Sequence, residues 1–340
     1  MKAAVWYGKK DIRIENRNPK NLESQEVKVK VAWGGICGSD LHAYLHPESV
    51  PIDLKRILGH EFSGIIEEIG SDVEDLELGD RVCIYPMLFN NPDNAINERF
   101  KTLDAIGAQI DGGFADYAIL PEKAVFKIPK DLPLDIAAMV EPAAVAYQGI
   151  EDANVKKGNT VVVYGVGPIG LFSIAAAKSN GAKTIIAVDV NQNRLEYAKR
   201  VGANKIINSK SVNPIEEIRK ISPEGADITI ETAGVEEAFN QATQSTKIRG
   251  TMMILSFYTK NININVPQSI LFTGIKIIGS VGYSRETYDK VINELTRGEL
   301  IAKPIITHRT NLDNITREGF EKLLNDKGQE KILIQMSGEM

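Results

Sequence analysis

Short apolar runs alternate with stretches of helical spacing from Thr160 onward, and this alternation limits the possible fold more than any other feature of the sequence. Predicted strands cover 161–164, 184–188, 205–207 and 226–230, and the predicted helices between them cover 169–179, 193–200 and 214–221. Strands that alternate with helices form βαβ units, in which the strands lie parallel in one sheet. The second half of the chain is therefore predicted to be a doubly wound α/β domain.

The first half has a different hydrophobic pattern, because its apolar residues recur with the period of two that is typical of strands. Residues 26–32 alternate strictly, and shorter β-type runs follow at 64–69 and 80–85. Near Leu134 the spacing becomes helical, which marks the predicted domain junction. The first half is therefore predicted to be a mostly-β domain.

The C-terminal third adds further predicted elements and completes the domain assignment. These are strands at 251–257, 276–281 and 331–335, and helices at 285–297 and about 317–325. We expect the tail to return to the first domain. The predicted organisation is a β-rich domain over 1–145 completed by 285–340, with the parallel-sheet domain over 146–284.

The segment from Phe89 to Gly113 is polar, rich in Asn and Asp, and without clear periodicity. A stretch of this length without its own secondary structure is usually either functional or mobile. We therefore predict a long loop there.

A glycine-rich turn follows the first strand of the parallel-sheet domain and fits the pattern G-x-G-x-x-G. Its six residues are Gly165, Val166, Gly167, Pro168, Ile169 and Gly170. In such a turn, glycines allow the tight bend and the close approach of a pyrophosphate, which the N-terminus of the next helix attracts. Asp189 ends the next strand, at the position of the acidic residue that binds the adenosine ribose. The context predicts a dinucleotide site.

Asp189 also bears on which dinucleotide binds. A carboxylate there accepts hydrogen bonds from the ribose diol and repels a 2′-phosphate, which favours NAD over NADP. Arg194, five residues further on, would soften this discrimination unless it is simply a solvated helix residue. The alternative interpretation of the whole motif is a tight βα turn with a solvated aspartate.

Three segments of the β-rich half offer metal ligands: Cys37, the pair His60-Glu61, and Glu141 near the domain junction. Thiolate, imidazole and carboxylate together suit Zn²⁺, and three protein ligands with one open position are typical of catalytic zinc. Each residue also has a purely structural interpretation as core filler, surface pair or helix-end residue. Cys83 lies inside an apolar strand pattern and is interpreted as core filler.

Composition excludes several other classes. Forty Lys and Arg against forty-five Asp and Glu give a net charge of -5, without a dense basic run, which argues against nucleic acid as a partner. The longest apolar runs fall well short of the roughly 18 residues that cross a membrane. The two cysteines are too few for a disulfide scaffold in 340 residues, so we expect reduced thiols and a cytoplasmic protein.

Residues 59–73, GHEFSGIIEEIGSDV, together with Cys37 to His42, resemble the signature of the zinc-containing medium-chain alcohol dehydrogenases. The resemblance extends over essentially the whole chain, including Glu141-Pro142, the turn at Gly165, and Glu231-Thr232-Ala233-Gly234. Within the family the chain is most similar to butanediol dehydrogenases, followed by sorbitol and other polyol dehydrogenases and by threonine dehydrogenases. The resemblance implies a GroES-like catalytic domain and a Rossmann domain.

The same resemblance implies roles for individual residues. Cys37, His60 and either Glu61 or Glu141 would hold one catalytic zinc per subunit, and Asp40 would orient His60. Ser39 and His42 would form a proton relay, Glu61 and Glu141 would support catalysis, and Thr232 would join the cofactor site. The family's four closely spaced cysteines for a second zinc are missing, and residues 46–58 are shorter than in butanediol dehydrogenases.

The function implied is NAD-dependent hydride transfer to and from a small secondary alcohol or ketone, with 2,3-butanediol and acetoin first and a polyol such as sorbitol second. A homodimer or homotetramer is expected, because the strand 276–281 resembles an edge strand that pairs across a two-fold axis. Two other classes remain open from the residues alone. They are a zinc-free nucleotide-binding relative of the quinone-reductase type and a structural or interaction protein.

Overall fold

The structure is a computed structural model that describes residues 1–89 and 103–336. The chain divides into two compact units, one comprising Met1–Glu141 with the stretch from Ile306 onward, and the other Pro142–Ile305. The sequence predicts these divisions at 145/146 and at 284/285. Residues 285–305, which the prediction places in the first domain, thus lie in the second unit.

The strands and helices are as follows, in chain order. The strands are β1 (Lys2–Gly8), β2 (Asp11–Asn16), β3 (Glu26–Gly35), β4 (Arg56–Ile57), β5 (Glu61–Ile69), β6 (Arg81–Ile84), β7 (Met87–Phe89), β8 (Leu103–Ala105), β9 (Tyr117–Pro121), β10 (Val125–Lys127), β11 (Thr160–Tyr164), β12 (Thr184–Asp189), β13 (Lys205–Asn208), β14 (Ala226–Glu231), β15 (Thr246–Ile254), β16 (Lys276–Gly279), β17 (Ile306–Asn311) and β18 (Lys331–Gln335). The helices are α1 (Gly38–Leu45), α2 (Leu134–Ala137), α3 (Val140–Asp152), α4 (Pro168–Ser179), α5 (Gln192–Val201), α6 (Pro214–Ile221), α7 (Glu236–Ser245), α8 (Arg285–Arg297) and α9 (Lys322–Asn325).

The first unit is built on a seven-stranded sheet with the order β10-β6-β5-β3-β18-β17, in which β9 also pairs with β3. A three-stranded sheet, β2-β1-β4, accompanies it. The pair β3 and β5 runs antiparallel and is drawn close at Gly64, where a Cβ would lie 2.2 Å from the carbonyl oxygen of Lys30. The C-terminal strand β18 pairs with β3, so the tail does return to the first unit, as expected.

The core of this unit lies between its sheets and the C-terminal segment. Its largest fully buried side chains include Trp6, Phe62, Phe114 and Phe320. Phe114 and Phe320 meet edge to face with ring centroids 6.2 Å apart, which is a favourable aromatic geometry. Cys83 is fully buried in β6, in agreement with its interpretation as core filler.

The second unit is built on a six-stranded parallel sheet with the order β13-β12-β11-β14-β15-β16. This is the order 3-2-1-4-5-6 of a Rossmann sheet. The chain enters at β11, builds outward to β13, and then returns to place β14 on the other side of β11. The predicted doubly wound parallel sheet is therefore confirmed, and the reversal of strand order lies between β11 and β14.

Three of the differences between the predicted and the observed elements lie between residues 89 and 254. Of the predicted loop over 89–113, residues 90–102 lie outside the described residues, but Phe89 and the stretch 103–105 belong to the paired strands β7 and β8. Helix α7 was missed because its ten residues are mostly polar and bury few apolar side chains. Strand β15 begins at Thr246, five residues earlier than predicted, since Lys247, Arg249 and Gly250 hide its pattern.

Candidate active site

Three metal-ligating side chains come together in the first unit. Cys37 follows β3 and caps α1, His60 directly precedes β5, and Glu61 is the first residue of β5. Their ligand atoms all lie within 4.8 Å of one another. Pairing of β3 with β5 sets Gly35 opposite Glu61, and a Cβ on Gly35 would lie 2.3 Å from a carboxylate oxygen of Glu61. The absence of a side chain at residue 35 therefore lets Glu61 reach the group.

Asp40, in the first turn of α1, supports two of these residues. Its Oδ2 accepts a hydrogen bond from the backbone N–H of Cys37 at 2.9 Å, and its Oδ1 lies 3.8 Å from Nδ1 of His60. Burial raises the pKa of Asp40, and the neighbouring charge of His60 partly offsets that effect. Asp40 therefore lies next to both residues, with a hydrogen bond to the backbone of Cys37 and a charge contact of 3.8 Å to the ring of His60.

Lys331 of β18 is a component of the site that the sequence did not reveal. Its Nζ donates to Oε1 and Oε2 of Glu61 at 2.7 and 2.6 Å and to the carbonyl oxygen of Ile36 at 2.9 Å. Both side chains of this ion pair are buried. Burial works to lower the pKa of Lys331, but the negative charges of Glu61, Cys37 and Glu141 outweigh it and raise that pKa.

The electrostatics of the group favour a cation. Burial works to lower the pKa of His60, yet the charges of Asp40, Cys37 and Glu141 raise it well above its usual value. The surroundings are thus rich in negative charge and attract a positive charge strongly. Together with the thiolate, imidazole and carboxylate donors, this environment fits a divalent zinc ion.

Glu141 lies near this group but is not part of it. It lies in the first turn of α3, is 8% exposed, and acts electrostatically on both His60 and Lys331. Among the described residues, the set of mutually close ligands comprises Cys37, His60 and Glu61 alone. The two glutamates that the sequence left as alternatives thus have different surroundings.

The two residues of the expected proton relay lie on α1. Ser39 is exposed and His42 follows it by three positions, so both side chains lie on the same side of the helix. Nε2 of His42 is 2.8 Å from the hydroxyl of Ser49, a contact that sequence patterns did not suggest. His42 is therefore held at the start of the segment 46–58.

The glycine turn of the second unit has the geometry that a dinucleotide needs. Gly165 has a φ of +80°, which favours glycine, and a Cβ on Gly170 would lie 2.0 Å from the carbonyl oxygen of Gly165. Thr232 donates to that same carbonyl oxygen at 2.5 Å, which ties the loop after β14 to the turn. Val166 and Ile169 lie within this stretch, and Pro168 opens α4.

Asp189 is almost fully buried at the end of β12. Its Oδ2 accepts the backbone N–H of Val166 and its Oδ1 that of Asn191, both at 2.8 Å. Each carboxylate oxygen has two acceptor positions, so both retain capacity for a ligand hydroxyl. Arg194 lies close to Gly167, since a Cβ built there would be 3.8 Å from its Nη1. The predicted cofactor residues thus converge at the carboxyl edge of the sheet, where α/β folds bind their ligands.

Each helix of the described residues is too short or too polar to cross a bilayer.

The fold and the donor set define a zinc-binding dehydrogenase, an oxidoreductase that acts on CH–OH groups. Residues 23–130 match the family of the alcohol dehydrogenase GroES-like domain, and residues 168–297 match the zinc-binding dehydrogenase family. The chain belongs to the zinc-containing medium-chain alcohol dehydrogenases, as the sequence predicts. The expected combination of a GroES-like domain and a Rossmann domain is likewise confirmed.

Individual relatives support this assignment over nearly the whole chain. The (R,R)-butanediol dehydrogenase of Bacillus subtilis (strain 168) is 36% identical and covers 98% of this chain and 99% of the relative. The sorbitol dehydrogenase of the same organism is 35% identical and covers 97% of this chain and 95% of the relative. The crystal structure of 2R,3R-butanediol dehydrogenase from Bacillus subtilis superposes with a TM-score of 0.93 at 35% identity, over 99% of both chains.

Proposed function

We propose that this dehydrogenase oxidises a small vicinal diol, with 2,3-butanediol first, and reduces the corresponding hydroxyketone, acetoin, using NAD(H). The observation that carries the chemistry is the close grouping of Cys37, His60 and Glu61 in the first unit, in which Glu61 is buried and the other two are partly exposed. The substrate choice is supported by the similarity to butanediol dehydrogenases. A polyol such as sorbitol is the second candidate, because the sorbitol dehydrogenase is almost equally similar. L-Threonine is a third.

Cys37, His60 and one glutamate, Glu61 or Glu141, would hold the zinc ion, and the donor types and negative surroundings fit that ion. When bound, zinc would act as a Lewis acid on the substrate oxygen, and NAD would supply the hydride acceptor. Asp40 fixes the Cys37 end of α1 and faces His60, so both donors are oriented in advance. Lys331 compensates the charge of Glu61 within the same group.

The proton of the alcohol needs an exit, and α1 supplies candidates for it. Ser39 would take the hydroxyl proton of the substrate, and His42 would release it to solvent after transfer through the cofactor ribose. The partial exposure of His42 and its contact with Ser49 support the solvent-side role. In the direction of ketone reduction, the same residues would return the proton.

Gly165, Val166, Gly167, Pro168, Ile169 and Gly170 would bind the pyrophosphate of NAD, with Asp189, Arg194 and Thr232 around them. Asp189 supports a preference for NAD, because its buried carboxylate would repel a 2′-phosphate. We further propose a cytoplasmic homodimer or homotetramer. Two cysteines in 340 residues are too few for a disulfide scaffold, which supports a reducing compartment. The position of β16 at the edge of its sheet supports pairing with a second copy.

A spectrophotometric screen tests the proposal. The purified chain is supplied with NAD and, in turn, with each butanediol stereoisomer, sorbitol, L-threonine and ethanol, and NADH formation is followed. The expected result is the highest kcat/KM with one butanediol stereoisomer. A higher kcat/KM with sorbitol would transfer the assignment to the polyol dehydrogenases. Equal activity after zinc removal would point instead to a zinc-free relative.

A further inference from the structure

Glu231, the last residue of β14, is a fully buried carboxylate that the chemistry described above does not use. It accepts hydrogen bonds from four donors. Oε1 accepts the backbone N–H of Ala233 at 2.8 Å and of Gly234 at 2.9 Å. Oε2 accepts the hydroxyl of Tyr258 at 2.6 Å and that of Ser256. One side chain thus joins the loop after β14 to the segment after β15.

Both of these loops are shaped by close contacts as well as by Glu231. A Cβ on Gly165 would lie 2.8 Å from the Cβ of Ala233, so the loop after β14 packs directly on the glycine turn. Gly234 has a φ of +69°, and a Cβ there would lie 2.7 Å from the carbonyl oxygen of Phe257. Little room is left for either loop to move independently of the Glu231 side chain.

The position of these loops in the sheet indicates what they shape. A Rossmann sheet consists of two halves that each bind one mononucleotide, and the dinucleotide lies across the point where the strand order reverses. Here the first half is β11 to β13, which carries the glycine turn and Asp189. The second half starts at β14, so the loops after β14 and β15 face the nicotinamide mononucleotide.

We infer that Glu231 is a positioning residue for the nicotinamide half of the cofactor. Its carboxylate joins Ala233 and Gly234, after β14, to Ser256 and Tyr258, after β15. In this way it sets the shape of the two loops that face the nicotinamide mononucleotide. This inference rests on the proposed use of NAD. A carboxylate suits the position because its two oxygens can accept hydrogen bonds from all four donors. It carries no donor group that would need a partner of its own. Burial, followed by the hydrogen bond to Glu231, raises the pKa of Tyr258, so its hydroxyl stays protonated and donates.

The test compares two ligands on the intact protein: NADH, and AMP, which is the adenosine half of the cofactor without the nicotinamide mononucleotide. Tyr258→Phe removes one of the four bonds and leaves the backbone bonds of Glu231 in place. A lost hydrogen bond to a charged group corresponds to a change of about tenfold or more in Kd. We expect Tyr258→Phe to weaken NADH binding by about that factor and to leave the Kd of AMP unchanged.

The chain offers a matched control in Tyr147, whose hydroxyl also donates to a glutamate, Glu294, at 2.6 Å in the same unit. Tyr147→Phe removes a bond of the same kind and length outside the two loops, and it should leave the Kd of both ligands unchanged. Glu231→Gln keeps an acceptor for the two backbone N–H groups, so its NADH affinity should lie between those of the parent and Glu231→Ala. Steady-state kinetics should show the loss in KM for NAD.

The outcomes separate this inference from the proposed function. If Tyr258→Phe and Glu231→Gln bind NADH as tightly as the parent, the inference is wrong while NAD use stands. Equal losses for NADH and AMP would also overturn it, since they would indicate a general structural role. If the unsubstituted protein itself fails to bind NADH, both the proposed cofactor and the inference fall.

Discussion

Lys331 donates to both carboxylate oxygens of Glu61, at 2.7 and 2.6 Å, and the two side chains are only 3% and 0% exposed. The same Nζ reaches the carbonyl oxygen of Ile36, next to Cys37. The strand that carries Lys331 pairs with β3 near the chain's C-terminal end. The ion pair therefore couples the pairing of β18 with β3 to the arrangement of Glu61 and Cys37, two proposed zinc ligands that lie far away in the sequence.

Replacement of Lys331 by Met should destabilise the zinc-free protein strongly. The substitution leaves Glu61 buried without its partner, and loss of one member of a buried pair costs about 3–5 kcal/mol. Urea unfolding of the chelator-treated protein measures this cost. The control is Lys2→Met, which removes the solvent-exposed ion pair of Lys2 with Asp313 in the same unit and should change stability little. Equal, small effects of both substitutions would contradict a structural role for Lys331.

The protein should contain one zinc per chain, and the two cysteines provide an internal comparison. Cys37 lies in the ligand group, whereas Cys83 is fully buried in β6. Metal analysis of protein purified without added metal should therefore give about one zinc for the parent and for Cys83→Ser, and little for Cys37→Ser. A parent with two tightly held zinc ions would show that a second site exists.

Whether a residue of this site could be predicted from the sequence depends on how far along the chain its partners lie. Cys37, His60 and Glu61 were recognisable because each stands in a short motif. Lys331 was not, because its only local sign is a lysine at the start of an apolar strand, and its partner lies 270 positions earlier. Gly35 could not be predicted as part of the site either, because the need for a glycine there arises only from the pairing of β3 with β5.

Asp189 should control both the choice and the affinity of the cofactor. Its two oxygens accept the backbone N–H groups of Val166 and Asn191, and in the proposed cofactor site they would also face the adenosine ribose. Asp189→Ala should therefore improve the ratio of NADP to NAD use, because repulsion of a 2′-phosphate is removed, and should also weaken binding of both cofactors. Asp189→Asn, which keeps one acceptor oxygen, should lose less affinity. Comparable kcat/KM values for NAD and NADP in the parent would contradict the repulsion argument.

The chain should form a homo-oligomer through the edge of its parallel sheet. Strand β16 ends that sheet, and the apolar side chains of Leu271, Phe272 and Val281 near it are each more than two-thirds exposed. An exposed apolar sheet edge otherwise invites aggregation. Light scattering at micromolar concentration should give a dimer or tetramer mass, and Val281→Asp should reduce it. Leu78→Asp, at an exposed leucine of the first unit, is the control. A monomeric parent would refute the prediction.

The fold itself was easier to predict than the limits of its elements. The helix 214–221 and the strand 331–335 agree with the sequence to the residue, because each has a strong apolar period and a clear stop. The predicted strand 276–281 ends two residues earlier, at Gly279, and the predicted helix over 317–325 is a wide π-helical segment followed by α9. Such departures come from tertiary packing, which a local pattern does not contain.

Glu141 should matter for turnover more than for zinc retention. A zinc ion with the thiolate of Cys37 and one glutamate is already neutral, so a second bound carboxylate would make the ion and its ligands together anionic and weaken the effect of zinc on the substrate. Glu61 lies within the mutually close ligand set, whereas Glu141 acts on it from nearby. The position of Glu141 suits a carboxylate that accepts a hydrogen bond from a water or from the second hydroxyl of a diol.

Glu141→Gln should accordingly retain zinc but lower kcat/KM by about 10–100-fold. This is the range of loss that follows replacement of residues that contact and orient the ligands of a metal. Glu61→Gln is the matched comparison, and it should lose zinc as well as activity, because it alters a member of the ligand set. Metal analysis and steady-state kinetics on both variants give the answer. Full activity in zinc-loaded Glu141→Gln would reduce Glu141 to a helix-start residue, and loss of zinc in that variant would make it the third ligand in place of Glu61.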